Sequence, residues 1–423
     1  MRVVILGAGI IGVTSAWYLR NAGFDVTVID RQSEVAKETS HANGGQVSVS
    51  QAEPWANPEA IRKIVKWLGR EDAPLLFRMR ADIGQWLWAL RFLRECTHNR
   101  HIRHMRSLVS LGLFSRQCLQ KLRSRIALNY EQQYLGILQL HSNTRDLESA
   151  IETARLMSEW GLERTLVNTH EMCKIEPALA SCAQSLLGGI YCPSDESGNA
   201  HIFTKQLAAH ALEAGVSFAH DCSIRRFNTA GNKIRSVELL QSGHASPHTL
   251  TADAFVVALG SYSPLLLAPL GIKIPIFPVK GYSITVHLNN GTQAPFTSLT
   301  DESHKLVFSR LGNRLRVAGT AELTGYDTTI RQSRCQAILA RTINLFPSLG
   351  NASHIDYWSG LRPATPNNMP LIGRHPDWEN LYLNTGHGTL GWTLSCGSAA
   401  ALADLMQARH PDADFPFLAS RSF

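Results

Sequence analysis

Three glycines and an acid near the start of the chain, Gly7, Gly9, Gly12 and Asp30, have the types and spacing to hold a dinucleotide. In Gly7-Ala8-Gly9-Ile10-Ile11-Gly12, Gly7 permits a tight turn and Gly9 lets the backbone approach a pyrophosphate. Gly12 lets the next helix pack close to the strand, and the free N–H groups at that helix's N-terminus face the anion. Asp30 can accept hydrogen bonds from the adenosine ribose hydroxyls, and its charge disfavours a 2′-phosphate. A second glycine loop, Gly386-His387-Gly388-Thr389-Leu390-Gly391, opens a C-terminal helix whose first turn carries partial positive charge. Placed at the N1–C2=O edge of an isoalloxazine, that helix end would stabilise an anionic reduced flavin. The first motif suits NAD or FAD; Arg31 and the second loop favour FAD.

The elements that must position these groups follow from periodicity. Apolar strands at 2–6 and 26–29 flank a helix over 13–22, and 254–258 is a continuous apolar strand of the buried parallel type. A last strand at 380–384 leads through the glycine loop into a helix over about 392–407. Between these lie a hairpin at 224–240 that turns at 230–232, and antiparallel segments at 279–288, 305–310 and 314–320. Helices are predicted over 144–160, 199–214 and 330–346, and through most of 55–126. The pattern is an α/β (α+β overall) fold whose nucleotide domain is discontinuous, begun at residue 1 and completed near 385.

At 423 residues the chain is long enough for two domains, and its 44% hydrophobic and 18% charged content is that of a globular protein. Its eight cysteines form no CxxC pair; Cys173, Cys182 and Cys192 lack the spacing of a metal site, so no metal is expected and buried free thiols are. The fingerprint begins at Arg2, which argues against a cleaved signal peptide, and no apolar run approaches a membrane span. The net charge of +7 is uneven: residues 55–126 hold 15 Lys and Arg against 5 Asp and Glu. Trp55, Trp67, Trp86 and Trp88 fall in this stretch, around Ile61-Arg62-Lys63-Ile64-Val65-Lys66-Trp67-Leu68. A basic helix edged by tryptophans suits an anionic lipid surface, and an amphipathic helix with core aromatics fits equally. No nucleic-acid motif accompanies the charge.

Several blocks carry a family resemblance: Val26-Thr27-Val28-Ile29-Asp30-Arg31, Glu38-Thr39-Ser40, Gly260-Ser261-Tyr262-Ser263, Lys280-Gly281-Tyr282-Ser283 and Gly360-Leu361-Arg362-Pro363. The longest is Leu383-Asn384-Thr385-Gly386-His387-Gly388-Thr389-Leu390-Gly391-Trp392-Thr393. Through these, nearly end to end, the chain resembles the D-amino acid oxidase-like FAD-dependent oxidoreductases, and among them the small, flavin-carrying subunit of bacterial D-amino acid dehydrogenase. The resemblance implies a glutathione-reductase-like FAD-binding Rossmann domain over about 1–52, 142–222, 250–272 and 331–423. It implies a mixed-sheet substrate domain with a helical insertion over about 53–141, 223–249 and 273–330. Cofactor contacts are expected at Gly7, Gly9, Ile10, Ile11, Gly12, Asp30, Arg31, Ser40, Asn43, Gly44, Gly45, Ile224, Ala258 and Gly260, and at Gly386, His387, Gly388, Thr389, Leu390 and Gly391.

The activity implied is oxidative deamination of a small D-amino acid to a 2-oxo acid and ammonia, with hydride transfer to flavin N5 and electrons passed to a quinone or another electron-transfer partner. The location implied is cytoplasmic, peripheral on the cytoplasmic face of the inner membrane. Arg362 matches the arginine that grips the substrate carboxylate in related oxidases, bidentate and always charged. Tyr282 and His41 are further candidates at the catalytic site. No cysteine lies in the flavin loop and Cys396 falls inside the next helix, so the FAD is expected to be non-covalent. Three departures bear on substrate range: Asn43-Gly44-Gly45 for Asn-Ala-Gly, Thr365-Pro366-Asn367-Asn368-Met369-Pro370 for Thr-Pro-Asp-Gly-x-Pro, and His304 and Leu306 where relatives carry a tyrosine. The alternatives are a peroxide-forming oxidase of glycine, sarcosine or D-amino acids, a dehydrogenase of cyclic, proline-like D-amino acids, and a non-catalytic flavoprotein subunit.

Overall fold

The computed structural model describes residues 1–67, 73–289, 291–352 and 354–418. Leu68 therefore lies outside the described residues, as do the side chains of Lys63, Val65, Lys66 and Trp67.

Two sheets organise the chain. In the six-stranded sheet the order is Leu371–Arg374, Leu381–Thr385, Ala254–Val257, Arg2–Leu6, Asp25–Ile29 and Ser217–Ala219. All its pairings are parallel except that of the Leu371–Arg374 edge strand. Val3, Ile5, Val26, Val28 and Val256 are at most 1% exposed, as expected of parallel strands covered on both faces. The strand completing the sheet near residue 385 joins Ala254–Val257 in register, Val257 opposite Leu383. On this sheet the Ile10–Asn21 and Gly391–Met406 helices pack together, and His98–Arg125 crosses Gly391–Met406. The crossing is close: a Cβ on Gly397 would stand 2.7 Å from Ser115 Cα.

The nine-stranded mixed sheet is built around the long Phe277–His287 strand, antiparallel to both Arg314–Leu323 and Ile355–Ala364. It contains Thr165–Val167, Gly188–Cys192 and Ile355–Ala364, three strands that the expected boundaries (142–222 and 331–423) placed with the cofactor unit. Gly188-Gly189 opens one of these strands and Gly360 and Pro363 interrupt another, so neither shows the apolar alternation that marks a strand. The hairpin, Cys222–Ala230 with Lys233–Gln241, continues antiparallel into His248–Thr251.

The basic stretch folds into helices Ala60–Trp67, Ile83–Glu95 and His98–Arg125, with a short strand Leu75–Phe77. Much of it is structural. Trp88 is buried with its indole N–H donating to Ala364 O at 2.9 Å, and Met105, Leu108 and Val109 are core residues. The outer face of Ile83–Glu95 is not: Ile83 is 78% exposed and Leu90 57%.

Candidate active site

Both sheets and both glycine loops border one cavity of about 860 Å3. Every expected cofactor contact lines it except Gly12 and Gly386. Those two serve backbone packing. A Cβ on Gly12 would lie 1.8 Å from Gly7 O, and one on Gly386, at φ +84°, would lie 3.0 Å from Thr365 Cγ2.

At one end, Gly7 takes φ +109° and its N–H donates to Ile29 O at 2.8 Å, closing the first turn. Asp30 accepts from the N–H groups of Ala8 (2.6 Å) and Gln32 (2.8 Å). Burial raises its pKa above the ordinary carboxylate value, and these two donors hold part of that rise back. Arg31 forks onto Glu38 and lies 4.1 Å over the Tyr262 ring. Gly9 lends no side chain to cap the Ile10–Asn21 helix; Ser40 Oγ accepts from Ile10 N–H at 3.0 Å.

The Gly391–Met406 helix begins on the same cavity, also without a side-chain cap. His387 beside it is 2% exposed, and burial pushes its pKa down to about 3, so the ring is neutral. Its Nε2 has no partner, nor have Asn384 Oδ1 and Trp392 Nε1.

The loop between Glu38 and Gln46 is stitched to the nine-stranded sheet. Thr39 Oγ1 donates to Leu361 O, Ser283 Oγ to Ala42 O and Ser309 Oγ to Gly44 O, each at 2.8 Å. The Gly44 departure has a physical reason here, because a Cβ would stand 2.5 Å from Val307 Cγ2. Asn368 departs equally well: it sits at φ +60°, which Asn tolerates nearly as Gly does, and its Oδ1 accepts from Trp55 N–H at 2.9 Å. His304 and Leu306 do not border the cavity; Val307 does.

Arg362 stands on the cavity wall. Its guanidinium lies over Gly281, where a Cβ would meet Nη1 at 2.1 Å. Nη1 donates to Thr320 O at 2.8 Å and Nη2 to Gly319 O at 3.4 Å. Among the described residues no carboxylate pairs with it. Burial alone pushes its pKa down to about 10, so it remains a cation at neutral pH with no counter-ion.

The two other catalytic-site candidates stand differently from Arg362. Tyr282 borders the cavity but alternates with Gly281, so its ring points to the far face of the sheet. There it is 1% exposed, its hydroxyl donates to Glu322 at 2.6 Å, and burial raises its pKa. His41 is exposed, does not line the cavity, and packs edge-on against His201 at 4.8 Å. Gly281, Thr320 and Trp358 were missed. A glycine inside an otherwise apolar alternating strand was the available signal, since it marks a close approach.

A profile of the family described as FAD dependent oxidoreductase matches residues 2–405. The chain belongs to that family. It is 53% identical over 418 residues to a D-amino acid dehydrogenase of Dechloromonas aromatica, covering 99% of this chain and 100% of that one. It is 47% identical over 410 residues to one of Paramagnetospirillum magneticum, covering 97% and 96%. Glycine oxidase from Geobacillus kaustophilus superposes with a TM-score of 0.77 at 21% identity, covering 100% of this chain and 99% of that one, which supports the shared fold.

This member is thus an FAD-dependent oxidoreductase, and its residues fit the cofactor. A Cβ on Gly9 would meet nothing nearer than Ser40 Oγ at 3.5 Å, so protein packing does not require that glycine. A bound pyrophosphate would. The uncapped helix ends and the buried, unpartnered atoms of His387, Asn384 and Trp392 call for the same kind of polar occupant.

Proposed function

We propose that this oxidoreductase is a D-amino acid dehydrogenase, oxidising D-amino acids to 2-oxo acids and ammonia and passing the electrons to a quinone. The observation that carries this reading is Arg362, a half-buried cation on the wall of the flavin cavity that meets no carboxylate among the described residues. A buried guanidinium costs free energy unless an anion joins it, and the α-carboxylate of an amino acid fits its fork bidentately. Gly319 and Thr320 carbonyls fix the plane of the fork, and Gly281 leaves room for it. No protein base is needed at Cα when the amine enters neutral. FAD, held without a covalent bond, supplies the two-electron acceptor for the hydrogen leaving Cα. Water then hydrolyses the released imino acid.

Membrane contact is proposed through the Ile83–Glu95 helix. Ile83, Leu87 and Leu90 project from one face, 78%, 50% and 57% exposed, with Arg91 and Arg94 beside them. That combination suits an anionic lipid surface. No helix among the described residues is long and apolar enough to cross a membrane.

The deciding experiment is a panel of D- and L-amino acids assayed by dye reduction under argon, followed by stopped-flow mixing of the reduced protein with oxygen. Bleaching by D-amino acids with slow reoxidation is expected. Fast reoxidation by oxygen makes it an oxidase, and failure of every D-amino acid to bleach the flavin removes the proposal.

A further inference from the structure

The strand that holds Arg362 in place is irregular where it does so. Lys280 pairs with Glu322 and Tyr282 with Gly319, so Thr320 and Ala321 together oppose Gly281. This is a β-bulge, a device that re-aims groups beside sites. Thr320 takes φ +52°, a conformation costly for a β-branched residue. Its side chain makes no hydrogen bond, Oγ1 being buried without a partner. What the position delivers is its carbonyl, turned onto Arg362 Nη1 at 2.8 Å, with Gly319 O beside it.

The bulge is braced from the opposite face. Tyr282 and Glu322 flank it, and the Tyr282 hydroxyl reaches diagonally across it to Glu322 Oε2 at 2.6 Å. Glu322 is fully buried and is also held by Arg78 (2.8 Å), Arg331 (3.2 Å) and Lys280 (3.4 Å). Lys280, itself fully buried, reaches on to Asp327 at 3.1 Å. The Tyr282–Glu322 bond and the ion pairs around it lie on the face of the strand opposite Gly281 and the Arg362 guanidinium.

We propose that Tyr282 is a positioning residue for Arg362: its bond to Glu322 latches the Thr320 bulge, whose carbonyls set the plane of the carboxylate-binding guanidinium. This rests on the reading that Arg362 receives a carboxylate. Without an acidic partner, only those carbonyls orient the fork, so a loosened bulge blurs its aim.

The test uses the holoenzyme and two readouts: KM for D-alanine, and the dissociation constant of benzoate from the perturbation of the flavin spectrum. Tyr282→Phe is expected to raise both by roughly fivefold to tenfold, since a hydrogen bond to a charged acceptor is lost, with kcat changed less. In an Arg362→Met background, Tyr282→Phe is expected to add nothing to the loss of benzoate binding, as coupled residues do. Unchanged benzoate affinity in Tyr282→Phe, or a full additional loss in the Arg362→Met background, overturns the latch. If no D-amino acid reduces the wild type while benzoate still reports these differences, the substrate reading fails and the latch stands.

Discussion

Arg362→Met separates a ligand-binding arginine from a structural one, because only the structural one predicts a clear loss of stability. The side chain donates to two carbonyls and meets no carboxylate. Burial moves its pKa from 12.5 to about 10, which places the charge roughly 3 kcal/mol above its cost in water. Its two hydrogen bonds to carbonyls are charge-assisted and return about 1.5–3 kcal/mol each, less for the long Nη2 bond at 3.4 Å, which offsets that cost. Methionine fills similar volume without the charge, so folding stability should stay within about 1–2 kcal/mol of wild type. Substrate binding should suffer far more. Two charge-assisted hydrogen bonds at about 1.5–3 kcal/mol each amount to a loss of roughly a hundredfold to ten-thousandfold in kcat/KM. The assays are dye-linked turnover with D-alanine, FAD content by absorbance, and thermal melting of the holoenzyme. A clear fall in melting temperature with little change in KM would show that Arg362 supports the sheet and that no substrate carboxylate meets it.

The two glycines of the first motif should fail differently. Gly12→Ala drives a Cβ into Gly7 O and is expected to leave little folded protein, whereas Gly9→Ala makes only an ordinary contact with Ser40 Oγ and should fold while losing FAD affinity, as flavin titration of the apoprotein would show. In the buried cluster, Glu322→Gln leaves Lys280 short of a counter-ion and should cost about 3–5 kcal/mol in denaturant unfolding, while Glu322→Leu with Lys280→Met should recover most of it. Burial raises the Glu322 pKa but hydrogen bonds from Arg78 and Tyr282 outweigh it, so its folded value lies below the unfolded one. Its stabilisation is therefore present above the unfolded carboxylate range and is lost as pH falls through the folded value. His387 acts through the unfolded state: with a folded pKa near 3, the unfolded chain binds the extra proton below about pH 6.5. Stability should drop by about 1.4 kcal/mol per pH unit between pH 6 and pH 4, and His387→Phe should flatten that slope in pH-dependent melts.

Much of the cofactor end was legible because its demands are local. A turn needs Gly7, a helix start needs Gly12, and a parallel strand must be apolar throughout; each leaves its mark within a dozen residues, and the register of Leu6 beside both Ile29 and Val257 follows. The substrate end depends on pairings between distant segments. Tyr282 is expected at the site for its hydroxyl, yet neighbours on a strand face opposite ways, and it is Gly281 that lies under Arg362 while the hydroxyl turns to Glu322. The bulge at Thr320 left even less trace. It arises from a mismatch of one residue between two strands some forty positions apart, and threonine at φ +52° contradicts the local preference by which turns are found. That contradiction is itself informative. A conformation opposed by its own residue persists when its surroundings hold it, and here the buried Glu322 network and the unpaired charge of Arg362 stand on either side of it.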